Sequence, residues 1–174
     1  MPPHTRALFP SGWFDYEEAN YARMFQEILA PDSDIQRRRL DPGVLAEQKR
    51  EMEGQWRVPW KAVLNHRLFG ALLLPAVGNA YTRFASAQTS ADQAVIASAL
   101  ERYRQANQQF PDRLEALVPA FLDKLPLDVI SGELLNYRRT PDGQFVLYSV
   151  GWNTTDDGGA PGKDGDWVWE YPAK

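Results

Sequence analysis

The hydrophobic period of this chain changes once, and that change sets its architecture. As far as Phe121, apolar residues recur at helical spacing. From Leu134 onward they follow strand-like runs, "LLNYRR", a "TPDG" turn, "QFVLYSV" and later "DWVWEY". Pro141 is preset for a turn and Gly143 is free to take positive φ, so the first two runs predict an antiparallel hairpin. The third run completes a meander, and a glycine-rich acidic segment joins the last two strands.

The helical part is punctuated by proline and by cap residues. Asp15 and Glu18 have capping-box spacing beside a face of Phe14, Tyr21, Phe25 and Ile28, predicting a helix over about 15–29. Asp41 and Pro42 are a good N-cap and N1 pair for a second helix, with Val44, Leu45, Gln48 and Met52 on one side and Gly54 at its end. Pro59 to Leu74 reads as a third. Ser90 and Gln93 form another capping-box pair, with Ile96, Leu100 and Tyr103 following, which predicts a helix to about Gln108. "FPDRLEALVPAFL" repeats the logic, with Asp112 as cap, Glu115 at N3 and a stripe of Leu114, Leu117, Val118 and Phe121. The expected fold class is therefore α+β: a helical region over 1–84, then over 85–174 a helix packed on a small antiparallel meander. Trp167, Trp169 and Tyr171 share one strand face and are expected to pack as sheet core against the 90–108 helix. An exposed stacking surface for carbohydrate or peptide is the alternative use of these aromatics.

Composition removes several classes. The chain has 174 residues, 44% of them hydrophobic, enough for one core or a core with a helical annex. Without cysteine there is no disulfide, thiolate metal site or cysteine nucleophile. The longest apolar run, from Leu68, is interrupted by Gly70, Pro75 and Gly78 and falls short of the ~20 apolar residues of a membrane helix. The start lacks a basic n-region followed by an apolar h-region. His4 and His66 are far apart with no serine or cysteine motif, so a hydrolase triad has no support, and a non-enzyme is expected. "QRRRL" reads as a solvated linker, because charge elsewhere is balanced and a pI near 5.2 argues against nucleic acid as a partner.

The net charge of −4 sits in one place. Between Gly151 and Pro172, Asp156, Asp157, Asp164, Asp166 and Glu170 face Lys163 alone, and the rest of the chain balances. Calcium takes six to eight oxygen ligands, and glycine permits the sharp turns that let carboxylates converge. Counted from Asn153, oxygen side chains fall at positions one, three and five (Asn153, Thr155, Asp157), Gly158 at six and Asp164 at twelve, the spacing of an EF-hand loop but with strand-like flanks. A surface loop of Asp, Gly, Asn and Thr is also ordinary turn chemistry. Repulsion among the aspartates favours a neutralising cation.

From about Ser90 to Trp169 the chain carries "ALERYRQANQQFPDRLEAL", "LPLD" with "SG" shortly after, "YRRTPDGQFVLYSVG" and an Asp/Gly loop before Trp167. In this order the motifs resemble the C-terminal globular domain of the major pseudopilin of type II secretion systems. The resemblance implies a helix packed on a small antiparallel sheet, with calcium held structurally in the loop before the last strand. Carried over, Asn153 takes a position usually held by Asp, and Asp164 and Asp166 fall near the family's terminal acidic pair. Asp156 and Asp157 are further candidate ligands. The leader, processing site and N-terminal anchoring helix of a pseudopilin are not found here. The chain looks like the C-terminal portion of longer bacterial proteins, with an anchor expected upstream, a cell-envelope or periplasmic location, and a protein partner or self-association.

Overall fold

The structure, a computed structural model, describes residues 12–29, 33–34, 39–44, 46–47, 50, 68–162 and 164–169. Its elements are α1 (Trp13–Leu29), β1 (Ser33–Asp34), β2 (Arg39–Leu40), α2 (Leu68–Asn107), β3 (Asn136–Arg139), β4 (Phe145–Ser149) and β5 (Trp167–Trp169). A helical N-terminal region thus precedes a small antiparallel sheet, an α+β arrangement. The chain divides into two compact units, Met1–Ser33 with Gly43–Ala80, and Asp34–Pro42 with Tyr81–Lys174.

In the first unit α1 begins two residues before the expected start. Gly12, at φ +88°, offers its carbonyl to the Tyr16 amide at 3.1 Å. Asp15 therefore lies in the first helical turn instead of capping it, where its charge complements the helix dipole. Trp13 is buried and meets the Phe14 ring edge-on, with centroids 5.3 Å apart. The side chains of Tyr21, Phe25 and Ile28 lie outside the described residues. Residues 42–44 are helical directly after Asp41, in line with the expected start there, whereas Leu45, Gln48, Met52, Gly54 and 59–67 also lie outside them.

The predicted break before Ser90 is absent. α2 runs for 40 residues from Leu68 to Asn107, so Ser90 is in mid-helix and its hydroxyl donates back to the Ser86 carbonyl at 2.9 Å. Ser and Thr bond equally well to the preceding turn or to a helix N-terminus, and spacing alone does not separate the two. Gln93, the other half of the expected capping box, is buried and donates from Nε2 to the Trp167 carbonyl at 2.6 Å, joining α2 to β5.

β3, β4 and β5 form the expected meander in that order, with Arg139 opposite Phe145 and Ser149 opposite Trp167. The β3–β4 turn closes through the Thr140 amide on the Gln144 carbonyl at 2.9 Å and the Gly143 amide on the Thr140 carbonyl at 3.0 Å, with Gly143 at φ +80°. Phe145 and Leu147 point inward and join Ile96, Leu100, Phe110, Leu114 and Leu117 in the main core. Trp169 packs on this cluster, while Trp167 and Trp152 pack on a smaller one of Ala85, Val129 and Ile130. Tyr171 lies outside the described residues.

The helix expected after Asp112 shrinks to a single 3-10 turn, Leu114–Leu117, with Arg113 at its N-cap and no side-chain cap bond. Pro119 explains the arrest, because the residue before a proline avoids the α region; Val118 sits at φ −97°, ψ 138°. Asp112 instead pairs with Arg139 Nη1 at 2.7 Å.

Leu147 is fully buried whereas Phe84 is 74% exposed. Leu147→Ala is expected to cost about 2–5 kcal/mol in chemical denaturation and Phe84→Ala less than about 0.5. Tyr137 gives a second expectation. Its hydroxyl donates to the Pro111 carbonyl at 2.7 Å, and burial, opposed by the Arg139 charge, pushes the phenol up to about 12. The neutral form is the one favoured in the fold, so this contribution is intact below the unfolded value of about 10 and disappears as pH rises to about 12. Ultraviolet phenolate titration should show a late phase that Tyr137→Phe removes.

Candidate functional site

The acidic loop leaves β4 at Ser149 and returns as β5 at Trp167, so the meander holds both of its ends. Its neck is tight. A Cβ on Gly151, at φ +68°, would stand 2.6 Å from the Gly165 carbonyl oxygen, and one on Gly165 would stand 2.6 Å from that of Ala160. Only glycine lets these backbones approach so closely. The Asp166 amide donates to the Ala160 carbonyl at 3.1 Å and completes the closure.

Asp166 is 2% exposed. Its carboxylate accepts the Asp157 amide at 3.3 Å and the Gly159 amide at 2.7 Å. A charge so far out of water is tolerated because main-chain donors take the place of solvent. Asp156 faces the sheet, accepting the Tyr148 hydroxyl at 3.1 Å and the Gly158 amide at 2.9 Å. Burial and then this bond to Asp156 raise the Tyr148 phenol above its ordinary range. Asn153 makes an Asx-type turn, its Oδ1 accepting the Thr155 amide at 2.9 Å, while its Nδ2 donates to Asp157 Oδ2 at 3.0 Å.

Of the five sequence-predicted ligands, Asn153, Asp157 and Asp166 are therefore linked through one set of hydrogen bonds. Asp156 turns toward Tyr148, and Asp164 is exposed. Among the described residues no three His, Asp or Glu side chains group as they would around a metal, and no arginine or lysine pairs with these carboxylates. Among the described residues Arg138 Nη2 donates to the Gly158 carbonyl at 3.5 Å. The ligand atoms suit calcium in kind, being hard oxygens: Asn153 Oδ1, Asp157 Oδ2 and the two Asp166 oxygens each accept one N–H, which leaves a lone pair on each.

Sequence reasoning missed the groups that position this loop. Asp128 is 3% exposed, and its carboxylate receives the Ser149 hydroxyl at 2.9 Å to each oxygen, the Ile130 amide at 3.0 Å and the Ser131 hydroxyl at 3.3 Å. Ser149 in turn accepts the Gly151 amide at 3.2 Å, setting the direction in which the loop departs. The available signal was a serine at an inward strand position, which needs a polar partner inside the core.

No family model, no curated protein and no solved structure matches this chain. Among the described residues no helix is long and apolar enough to cross a membrane.

Asp166 and Asp164 make a sharp contrast. In chelator, Asp166→Ala strands two amides and should cost about 1–3 kcal/mol, whereas exposed Asp164→Ala should stay within about 0.5. Hydrogen exchange of the Asp157 and Gly159 amides reads the same event locally and should accelerate only for Asp166→Ala.

Proposed function

We propose that residues 85–174 act as a non-enzymatic structural or interaction module of a bacterial cell-envelope protein, related to the type II secretion pseudopilins and stabilised by calcium at the 153–166 loop. One observation carries this reading. The four aspartates Asp156, Asp157, Asp164 and Asp166 share one loop, with no cationic side chain paired to them among the described residues. Bound calcium supplies the missing positive charge, with Asn153, Asp157, Asp164 and Asp166 as its holders and Asp156 as an additional donor. Its role is structural: it relieves carboxylate repulsion and stiffens the link that sets the register of β5 on β4.

Two further features support the reading. A helix packed on a three-stranded antiparallel meander, with an acidic loop before the last strand, is the arrangement that the motif order implies. The buried carboxylates Asp128 and Asp166 spend their oxygens on protein donors, Asp128 on its own turn and the Ser149 hydroxyl of β4 and Asp166 on backbone amides of its loop, which gives them structural work. The module presents its outer surface to a protein partner or to a second copy.

Thermal melting with calcium and with chelator tests the proposal. A loop that must close around its ion belongs with calcium sites of about 10⁻⁴–10⁻³ M affinity. At a tenfold excess over Kd the native state should gain about 1.4 kcal/mol. Asp157→Ala and Asp164→Ala should each abolish that gain while leaving the chelator melting curve almost unchanged. An unshifted melt at about 10 mM calcium, about tenfold above the weaker end of that range, with both variants equally silent, would sink the calcium reading.

A further inference from the structure

The C-terminal unit is built from two stretches far apart in sequence, 34–42 and 81–174, and the residues between them, 43–80, belong to the first unit. The short stretch is therefore a strap, held at its seat by contacts and not by adjoining chain. Its seat is shaped without it. Val129 lies in a turn held by Asp128, whose carboxylate accepts the Ile130 amide, the Ser131 hydroxyl and the Ser149 hydroxyl, and whose carbonyl accepts the Gly132 amide at 2.8 Å. None of these bonds involves the strap.

The seat asks for one kind of occupant. Val129 is 4% exposed, so its carbonyl needs a donor other than water, and an extended main chain supplies one. Ala85, Val129 and Ile130, with Trp152 and Trp167 packed against them, form an apolar cluster suited to an aliphatic side chain. Residues 39–42 meet both needs. The Leu40 amide donates to the Val129 carbonyl at 2.8 Å, the Leu40 side chain packs on the cluster, and Pro42 is buried. Charge agrees with this seating. Residues 81–174 carry 13 acidic residues against nine basic ones, whereas the strap carries Arg37, Arg38 and Arg39 against Asp34 and Asp41.

We infer that this seat is a self-association site: a second copy of the chain fills it with its own residues 39–42 while receiving the strap of the first, giving a strap-exchanged dimer. No new complementary surface is needed, because every contact broken within one chain is remade with its partner. The strap suits exchange. It is short, has one backbone hydrogen bond to the seat among the described residues, and is joined at both ends to chain outside the C-terminal unit. What opposes exchange is the tether, which gives each chain's own strap an effective concentration of about a millimolar. The dimer specifies the second copy in the reading above and does not depend on the calcium site.

The test is sedimentation equilibrium of the full chain in chelator, which keeps it independent of calcium. A monomer–dimer equilibrium is expected as the chain concentration approaches about 1 mM. Leu40→Glu, which sets a charge against the apolar cluster, should raise the dimer Kd at least about tenfold. Phe84→Ala, at an exposed position of α2, should leave it unchanged. An excess of a synthetic peptide of residues 34–44 should return the wild-type dimer to monomer, and the same peptide carrying Leu40→Glu should not. The peptide arm uses the unaltered chain, so it decides the matter if Leu40→Glu fails to fold. A chain that stays monomeric up to about 1 mM overturns the inference. A dimer that survives both Leu40→Glu and the peptide, or that is lost in Phe84→Ala, overturns it equally. Each result is independent of the calcium-dependent melt, so the two readings fail separately.

Discussion

The buried carboxylate of Asp128 is the constraint on which the C-terminal unit depends. Removing such a charge from water costs several kcal/mol unless donors surround it. Here the donors come from two places: Ile130 and Ser131 in its own turn, and Ser149 at the end of β4. The first pair folds the 127–134 segment onto itself, with Leu127 and Leu134 bridged across it. The Ser149 hydroxyl then fastens that segment to the sheet. The same segment also receives the Leu40 amide on the Val129 carbonyl at 2.8 Å, so the short 34–42 stretch belongs with this unit through backbone pairing.

From Ser149 the effect passes to the acidic loop. Gly151 donates to the Ser149 hydroxyl, and the neck beyond it admits glycine alone at two facing positions. Asp166 gathers the amides of Asp157 and Gly159, and Gln93 of α2 holds the Trp167 carbonyl that follows. The loop is thus anchored to the helix and the sheet by polar bonds. Asp156, Asp157 and Asp164 keep exposed charges, whose repulsion is screened by water but not cancelled. That division separates the roles within one acidic stretch: Asp166 maintains the loop's shape, and Asp157 and Asp164 stay exposed.

Much of the fold was legible in the residues because its signals are local. Proline and glycine at 141 and 143 specify a turn, and "QFVLYSV" specifies a strand. The helices were legible in type but less so at their ends. α2 passes through Ser90 because a hydroxyl satisfied by Ser86 resembles a capping hydroxyl in sequence. The run after Asp112 has a helical stripe, yet Pro119 stops it after one 3-10 turn, and Asp112 finds a partner in Arg139, 27 residues away. The composition of the candidate site was legible too. The inward turn of Asp166 and the turn of Asp156 toward Tyr148 were not, because both depend on where β4 lies beneath the loop.

The sequence by itself determined the α+β order and the location of the negative charge, since the one follows from local periodicity and the other from counting charges. Tertiary structure alone decided which carboxylates are buried as acceptors and which stay exposed. The physical reason is that a carboxylate goes inside only where donors from distant segments meet it. Asp128 meets Ser149, 21 residues on, and Asp166 meets amides seven and nine residues back. No local pattern encodes such meetings before the chain has closed around them.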